Sequence, residues 1–108
     1  MSVSHPYVAS ALTRGSIDQS TASMLLDFGT NWCGHCQAAQ PQVDAALFTY
    51  PQVVHIKVED GKGRSLGRSY GVTLWPTLLF LRSGREVARL VRPTDAKLIE
   101  EALAQLSP

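Results

Sequence analysis

The amino-acid sequence predicts one α/β domain over residues 1–108, with a central mixed β-sheet and helices on both faces. Three observations carry this expectation. Ser23 to Phe28 is a short run with apolar residues on both faces, as in a strand covered on each side. From that run onward, helical and strand-like segments follow in the order β-α-β-α-β-β-α, which is that of a layered α/β domain. The last two strands flank a tight turn and must pair antiparallel, so the sheet is mixed. A chain of 108 residues can bury one modest core without metal or disulfide staples.

Each element has a local reason. Before Thr21 the pattern is weak, and suggests only a short strand near Tyr7-Val8-Ala9 and a short helix before Ser23. After the first strong strand and a brief polar connection, Gln37 to Phe48 reads as a helix. Cys36, Ala39, Val43, Ala46 and Leu47 recur there at helical spacing. Pro41 lies inside it, removing one backbone hydrogen bond and predicting a kink. Val53 to Val58 is rich in β-branched residues and reads as the second strand. The polar Gly61-Lys62-Gly63-Arg64 stretch lacks the spacing of a phosphate loop and reads as a solvated turn. It opens a short helix that ends near Tyr70, with Gly71 suited to the cap. Thr77 to Leu81 and Glu86 to Val91 form a hairpin about Arg82-Ser83-Gly84-Arg85. Thr94 is placed to cap a last helix, whose Leu98, Ile99, Ala102, Leu103 and Leu106 make one apolar stripe.

Composition removes several function classes. Ten basic residues against nine acidic leave a formal charge of +1, too little to hold nucleic acid by bulk electrostatics. The longest apolar stretch, Thr77 to Leu81, is far short of the roughly 20 residues of a membrane-spanning helix. The first residues show neither a basic segment nor an apolar run of the secretory type. The expectation is a cytoplasmic monomer with no nucleic-acid or membrane partner. A periplasmic protein whose signal peptide had been removed would read the same.

Two cysteines are too few for a disulfide scaffold, but they stand three positions apart in Trp32-Cys33-Gly34-His35-Cys36. Cys33 falls just after a central strand and at the start of a helix. Free backbone N–H groups and the helix dipole stabilise negative charge on a sulfur there. His35 is placed to add positive charge or a hydrogen bond to that sulfur. Cys36 lies one turn further in, more buried and a poorer nucleophile. The asymmetry assigns roles: Cys33 attacks a disulfide, and Cys36 resolves the resulting mixed disulfide.

Asp27-Phe28, Trp32-Cys33-Gly34-His35-Cys36 and Pro41 together resemble the active-site segment of the thioredoxin family. Lys57, Tyr70-Gly71-Val72, Trp75-Pro76-Thr77-Leu78 and the Phe80-Leu81-Arg82-Ser83-Gly84 hairpin extend the likeness from about Ser23 to Leu106. The resemblance implies a thioredoxin fold and a thiol–disulfide oxidoreductase. Its cofactor would be none beyond the Cys33–Cys36 disulfide itself. Its partners would be protein disulfides and a recycling reductase such as thioredoxin reductase. Pro76 would be a cis proline beside the cysteines, with residue 75 aligning substrate backbone. Asp27 would be the buried acid that helps deprotonate Cys36, with Lys57 as its ion-pair partner. Substrate is expected at Trp32, Trp75, Pro76 and Arg92, with Gly34 and His35 tuning the redox pair.

The chain also departs from the family pattern. Gly29-Thr30-Asn31 stands where an aromatic and a small residue usually follow Asp-Phe. Arg92-Pro93 stands where a glycine is common, and Trp75 replaces a smaller residue before the proline. His35 replaces a central proline and resembles protein disulfide isomerase domains, which brings an oxidase or isomerase into view beside a reductase.

Other classes explain less. Zinc needs two further ligands, and His5 and His55 belong to unrelated elements. A copper metallochaperone shows two cysteines on such a loop. Gly34-His35, Trp32 and the Trp75-Pro76-Thr77 segment argue against that. A structural disulfide would close too small a loop to stabilise much. A non-catalytic binding module of the same fold remains the alternative from another class.

Overall fold

The structure is a computed structural model that describes residues 6–9 and 11–106; His5 lies outside the described residues. The elements are α1 (Arg14–Asp18), β1 (Ser23–Gly29), α2 (Gly34–Leu47), β2 (Val54–Glu59), α3 (Ser65–Ser69), β3 (Thr77–Arg82), β4 (Arg85–Val91) and α4 (Ala96–Ala104). The strands lie in the order β2-β1-β3-β4, with β1 and β2 parallel and the other pairs antiparallel. This is the mixed sheet that the hairpin and the long crossover through α2 require. Near Tyr7-Val8-Ala9 the expected strand reduces to a single parallel bridge between Val8 and Val58.

Side-chain alternation along β1 divides the core into two layers. Leu25 on one face joins Leu78, Phe80, Val43 and Ala46 of α2, and Ile99, Ala102 and Leu103 of α4. Met24, Leu26 and Phe28 on the other face join Val58, Leu79, Leu81, Ile17 of α1 and Tyr70 beyond α3. Both faces of β1 are therefore covered, which is why its sequence shows no polar alternation. Asp27 and Gly29 share the Leu25 face, so both lie beneath α2.

Three local details differ from the expectation. α2 begins three residues earlier than its apolar periodicity implies, because the polar Gly34-His35 turn carries no apolar signal; it runs through Pro41 unbroken. The cap of α4 is Asp95, whose carboxylate accepts from Lys97 N–H at 2.9 Å, and not Thr94. A carboxylate next to the helix start caps and meets the dipole at once, which a threonine one residue earlier cannot. Leu98 is 45% exposed and leaves the apolar stripe to Ile99, Ala102, Leu103 and Leu106. Gly71 takes the expected left-handed cap, with φ of 71°.

Candidate active site

Cys33 is the N-cap residue of α2, and its sulfur accepts the backbone N–H of Cys36 at 3.3 Å. The sulfur thus sits where the unpaired N–H groups and the positive end of the helix dipole converge. Burial separates the two cysteines less than their spacing suggests, with Cys33 at 7% exposure and Cys36 at 2%. Electrostatics separates them more. Burial, and next the hydrogen bond with Cys33, push the Cys36 thiol up to about 12. At neutral pH Cys36 therefore keeps its proton and needs a base before it can attack.

A carboxylate is buried on the face of β1 that α2 covers. Asp27 is buried at 2% exposure. The Tyr7 hydroxyl donates to its Oδ1 at 2.6 Å, and His55 Nε2 stands 3.3 Å from its Oδ2. Lys57 pairs with Asp27 in the strand register, yet its ammonium does not pair with the carboxylate. It donates instead to Gln40 Oε1 on α2 and stands 4.4 Å from the centre of the Tyr7 ring. The expected Asp27–Lys57 ion pair is thus replaced by Tyr7 and His55. The side-chain amide of Gln40 and the Tyr7 ring face satisfy the lysine without the acid. Tyr7, Thr30, Asn31, Cys36, Gln40 and Lys57 line a cavity of about 230 Å³ here.

The Trp75-Pro76 segment stands on the other side of Cys33. The Trp75–Pro76 bond is cis, and the Trp75 carbonyl lies 4.0 Å from Cys33 Sγ. Arg92, in the left-handed region at φ of 52°, donates from Nε to that carbonyl at 2.8 Å and from its backbone N–H to Pro76 O at 2.9 Å. Arg92 therefore braces the Trp75-Pro76 segment through its guanidinium and its backbone. Trp75 is held by a hydrogen bond from its indole N–H to Asp60 Oδ2 at 2.8 Å. Trp32 meets it edge to face, with centroids 5.7 Å apart, and is 75% exposed. His35 is exposed and borders a cleft with Ala38, Ala39, Arg92, Pro93 and Thr94. The hydrogen bond to the Cys33 sulfur comes from the helix backbone and not from His35.

The family model for Thioredoxin matches residues 8–105. The chain belongs to the thioredoxin family. Among solved structures, thioredoxin 2 from Pseudomonas aeruginosa PAO1 in its reduced form is 54% identical, with a TM-score of 0.86 over 96% of each chain. Human protein disulfide-isomerase A2 is 36% identical over 89% of this chain, which spans 19% of that protein's length. Thioredoxin Asp f 28 of Aspergillus fumigatus is 27% identical over 99% of this chain and 94% of its own. The thioredoxin fold is shared with these neighbours, and family and cysteine geometry together are those of a thiol–disulfide oxidoreductase.

Tyr7 and His55 are the site residues that sequence reasoning misses. His55 reads as a structural histidine in an apolar strand, and Tyr7 lies in a segment with no clear pattern. A signal for Tyr7 does exist, in Gly29. A Cβ on Gly29 would stand 2.5 Å from Cys36 Sγ and 2.8 Å from Tyr7 Cζ. Where the thioredoxin family usually carries an aromatic residue, this chain has glycine, and the Tyr7 ring stands against it. An aromatic missing beside an active site, with a tyrosine unassigned elsewhere, was the available clue.

Proposed function

We propose that the protein is a protein-disulfide reductase. The Cys33 thiolate attacks a substrate disulfide, and Cys36 attacks Cys33 in turn. The substrate leaves reduced, and the Cys33–Cys36 bond holds the oxidising equivalents. The observation that carries this reading is the placement of Cys33 Sγ at the α2 N-cap with the buried Cys36 one turn behind it. The exposed Trp32 and the Trp75 carbonyl beside Cys33 Sγ favour a protein strand over a small thiol as the substrate. The proposed setting is the cytoplasm, where a reductase of the thioredoxin reductase type would return two electrons to the pair. Turbidity from insulin reduction by dithiothreitol tests it. Acceleration by the wild type and its loss in Cys33→Ser are expected; no acceleration by the wild type rejects the reading.

One observation favours a second reading, disulfide oxidation or isomerisation. His35 stands in the first turn of α2 beside Cys33, as in the Cys-Gly-His-Cys motif of disulfide isomerase domains. Equilibration with glutathione separates the two readings. A pair that stays reduced in millimolar glutathione at neutral pH supports reduction, and one that oxidises readily supports the alternative.

A further inference from the structure

Tyr7 occupies a position that the reaction as described above does not use. It is 4% exposed and clusters with Cys33 and Cys36. Its backbone is pinned on both sides: Tyr7 N–H donates to Asn31 Oδ1 at 2.8 Å, and Asn31 Nδ2 donates to Tyr7 O at 3.1 Å. Glu59 N–H donates to Val8 O at 2.8 Å and ties the next residue to β2. The ring therefore enters the site at a fixed depth. Its hydroxyl donates to Asp27 Oδ1 at 2.6 Å, and the ring packs with Cys36, so that Tyr7 Oη and the Cys36 sulfur border the same space above Gly29. A phenol has a single proton to donate and a lone pair to receive one. With its own proton given to Asp27, the hydroxyl keeps a lone pair for a proton leaving Cys36.

We propose that Tyr7 is a catalytic proton relay for the resolving step, passing the Cys36 thiol proton to Asp27. The proposal rests on the reductase reading, in which Cys36 must lose a proton to attack. As the Cys36 sulfur forms its bond to Cys33 Sγ, its proton moves to Tyr7 Oη and the phenolic proton moves to Asp27 Oδ1. The bond between Cys33 and the substrate sulfur breaks, and the substrate leaves as a thiolate that takes a proton from solvent. The substrate disulfide gains two electrons and the cysteine pair loses two. Tyr7 ends as the neutral phenol it began as. Burial and the neighbouring Asp27 hold its hydroxyl far above the usual phenol range, so the two transfers are concerted and no tyrosinate forms.

The charged and titratable groups that face this relay are Asp27 from β1, His55 and Lys57 from β2, and Cys33 at the cap of α2. Asp44 of α2 stands one step out, accepting from Gln40 Nε2 at 2.9 Å. Asp27 is the acceptor in line with the hydroxyl. The competing route is a water in the adjoining cavity, which Tyr7→Phe would leave in place.

The test follows two sulfurs in one trace. Reduced protein is mixed with one equivalent of 5,5′-dithiobis(2-nitrobenzoate) in a stopped-flow cell. The first equivalent of coloured thiolate reports attack by Cys33, and the second reports attack of Cys36 on Cys33. Tyr7→Phe is expected to leave the first phase within about twofold and to slow the second at least about tenfold at pH 7. Its second phase should then climb about tenfold per pH unit, following the Cys36 thiolate, where the wild type climbs less steeply. An unchanged second phase with an unchanged pH profile overturns the relay and assigns the proton to water. Equal slowing of both phases also overturns it, because the ring would then be packing alone. A wild type that releases no first equivalent instead rejects the reductase reading.

Discussion

At the scale of single residues, the sulfurs differ in their settings more than in their exposure. Cys33 rests on a helix terminus, whereas burial makes the thiolate of Cys36 costly. Iodoacetamide at pH 7 should therefore block Cys33 at least about tenfold faster than Cys36, read by peptide mass mapping. The raised Cys36 value also has a stability consequence. A thiol whose folded value lies above its unfolded one stabilises the reduced protein below the unfolded value, near pH 8.5, and that contribution fades as pH rises toward 12. Urea melts should show reduced wild type losing stability from about pH 9 upward, with Cys36→Ala losing less over the same range. Both cysteines and Asp27 are legible in the sequence, since a motif at a strand-to-helix junction fixes where side chains point. Lys57 is not. Register places it opposite Asp27, but a long side chain chooses among partners, and here it bonds Gln40 and sits over the Tyr7 ring.

At the scale of elements, the strands were legible to within a residue or two because both cores follow from apolar alternation. Helix ends were less so. The periodicity of α4 marks its buried face and says nothing of the polar residue that begins it. Asp95 against Thr94 makes a direct comparison. Asp95→Ala should cost about 1 kcal/mol in chemical denaturation, and Thr94→Ala much less. The β3–β4 turn carries a second test. Ser83 and Gly84 both take positive φ, and a Cβ on Gly84 would run into the backbone of Asp18 at the end of α1. Gly84→Ala should destabilise the fold by about 3 kcal/mol, from left-handed strain and the contact together. The N-terminal segment gave little signal for a related reason: its pairing with β2 is a single bridge, and its importance lies in one ring, not in a pattern.

At the scale of the whole molecule, a four-stranded sheet carries on one face the acid, its two partners and the cysteine helix, with the Trp75-Pro76 segment at the strand ends. The redox balance of the pair depends on how much the Cys33 thiolate gains over the disulfide. We propose that His35, which makes no hydrogen bond to that sulfur among the described residues, tunes the pair from the first turn of α2. His35→Pro should therefore make the reduction potential more negative by about 30 mV, a tenfold change in the equilibrium with glutathione. Equilibration read by the fluorescence of Trp32 measures it. The central claim, that Cys33 attacks protein disulfides and Cys36 resolves them, is tested most directly by trapping. Cys36→Ser is incubated with insulin, and the adduct is digested and mapped. The account predicts a persistent disulfide between Cys33 and an insulin cysteine; no adduct, with wild type active in the same buffer, would contradict it.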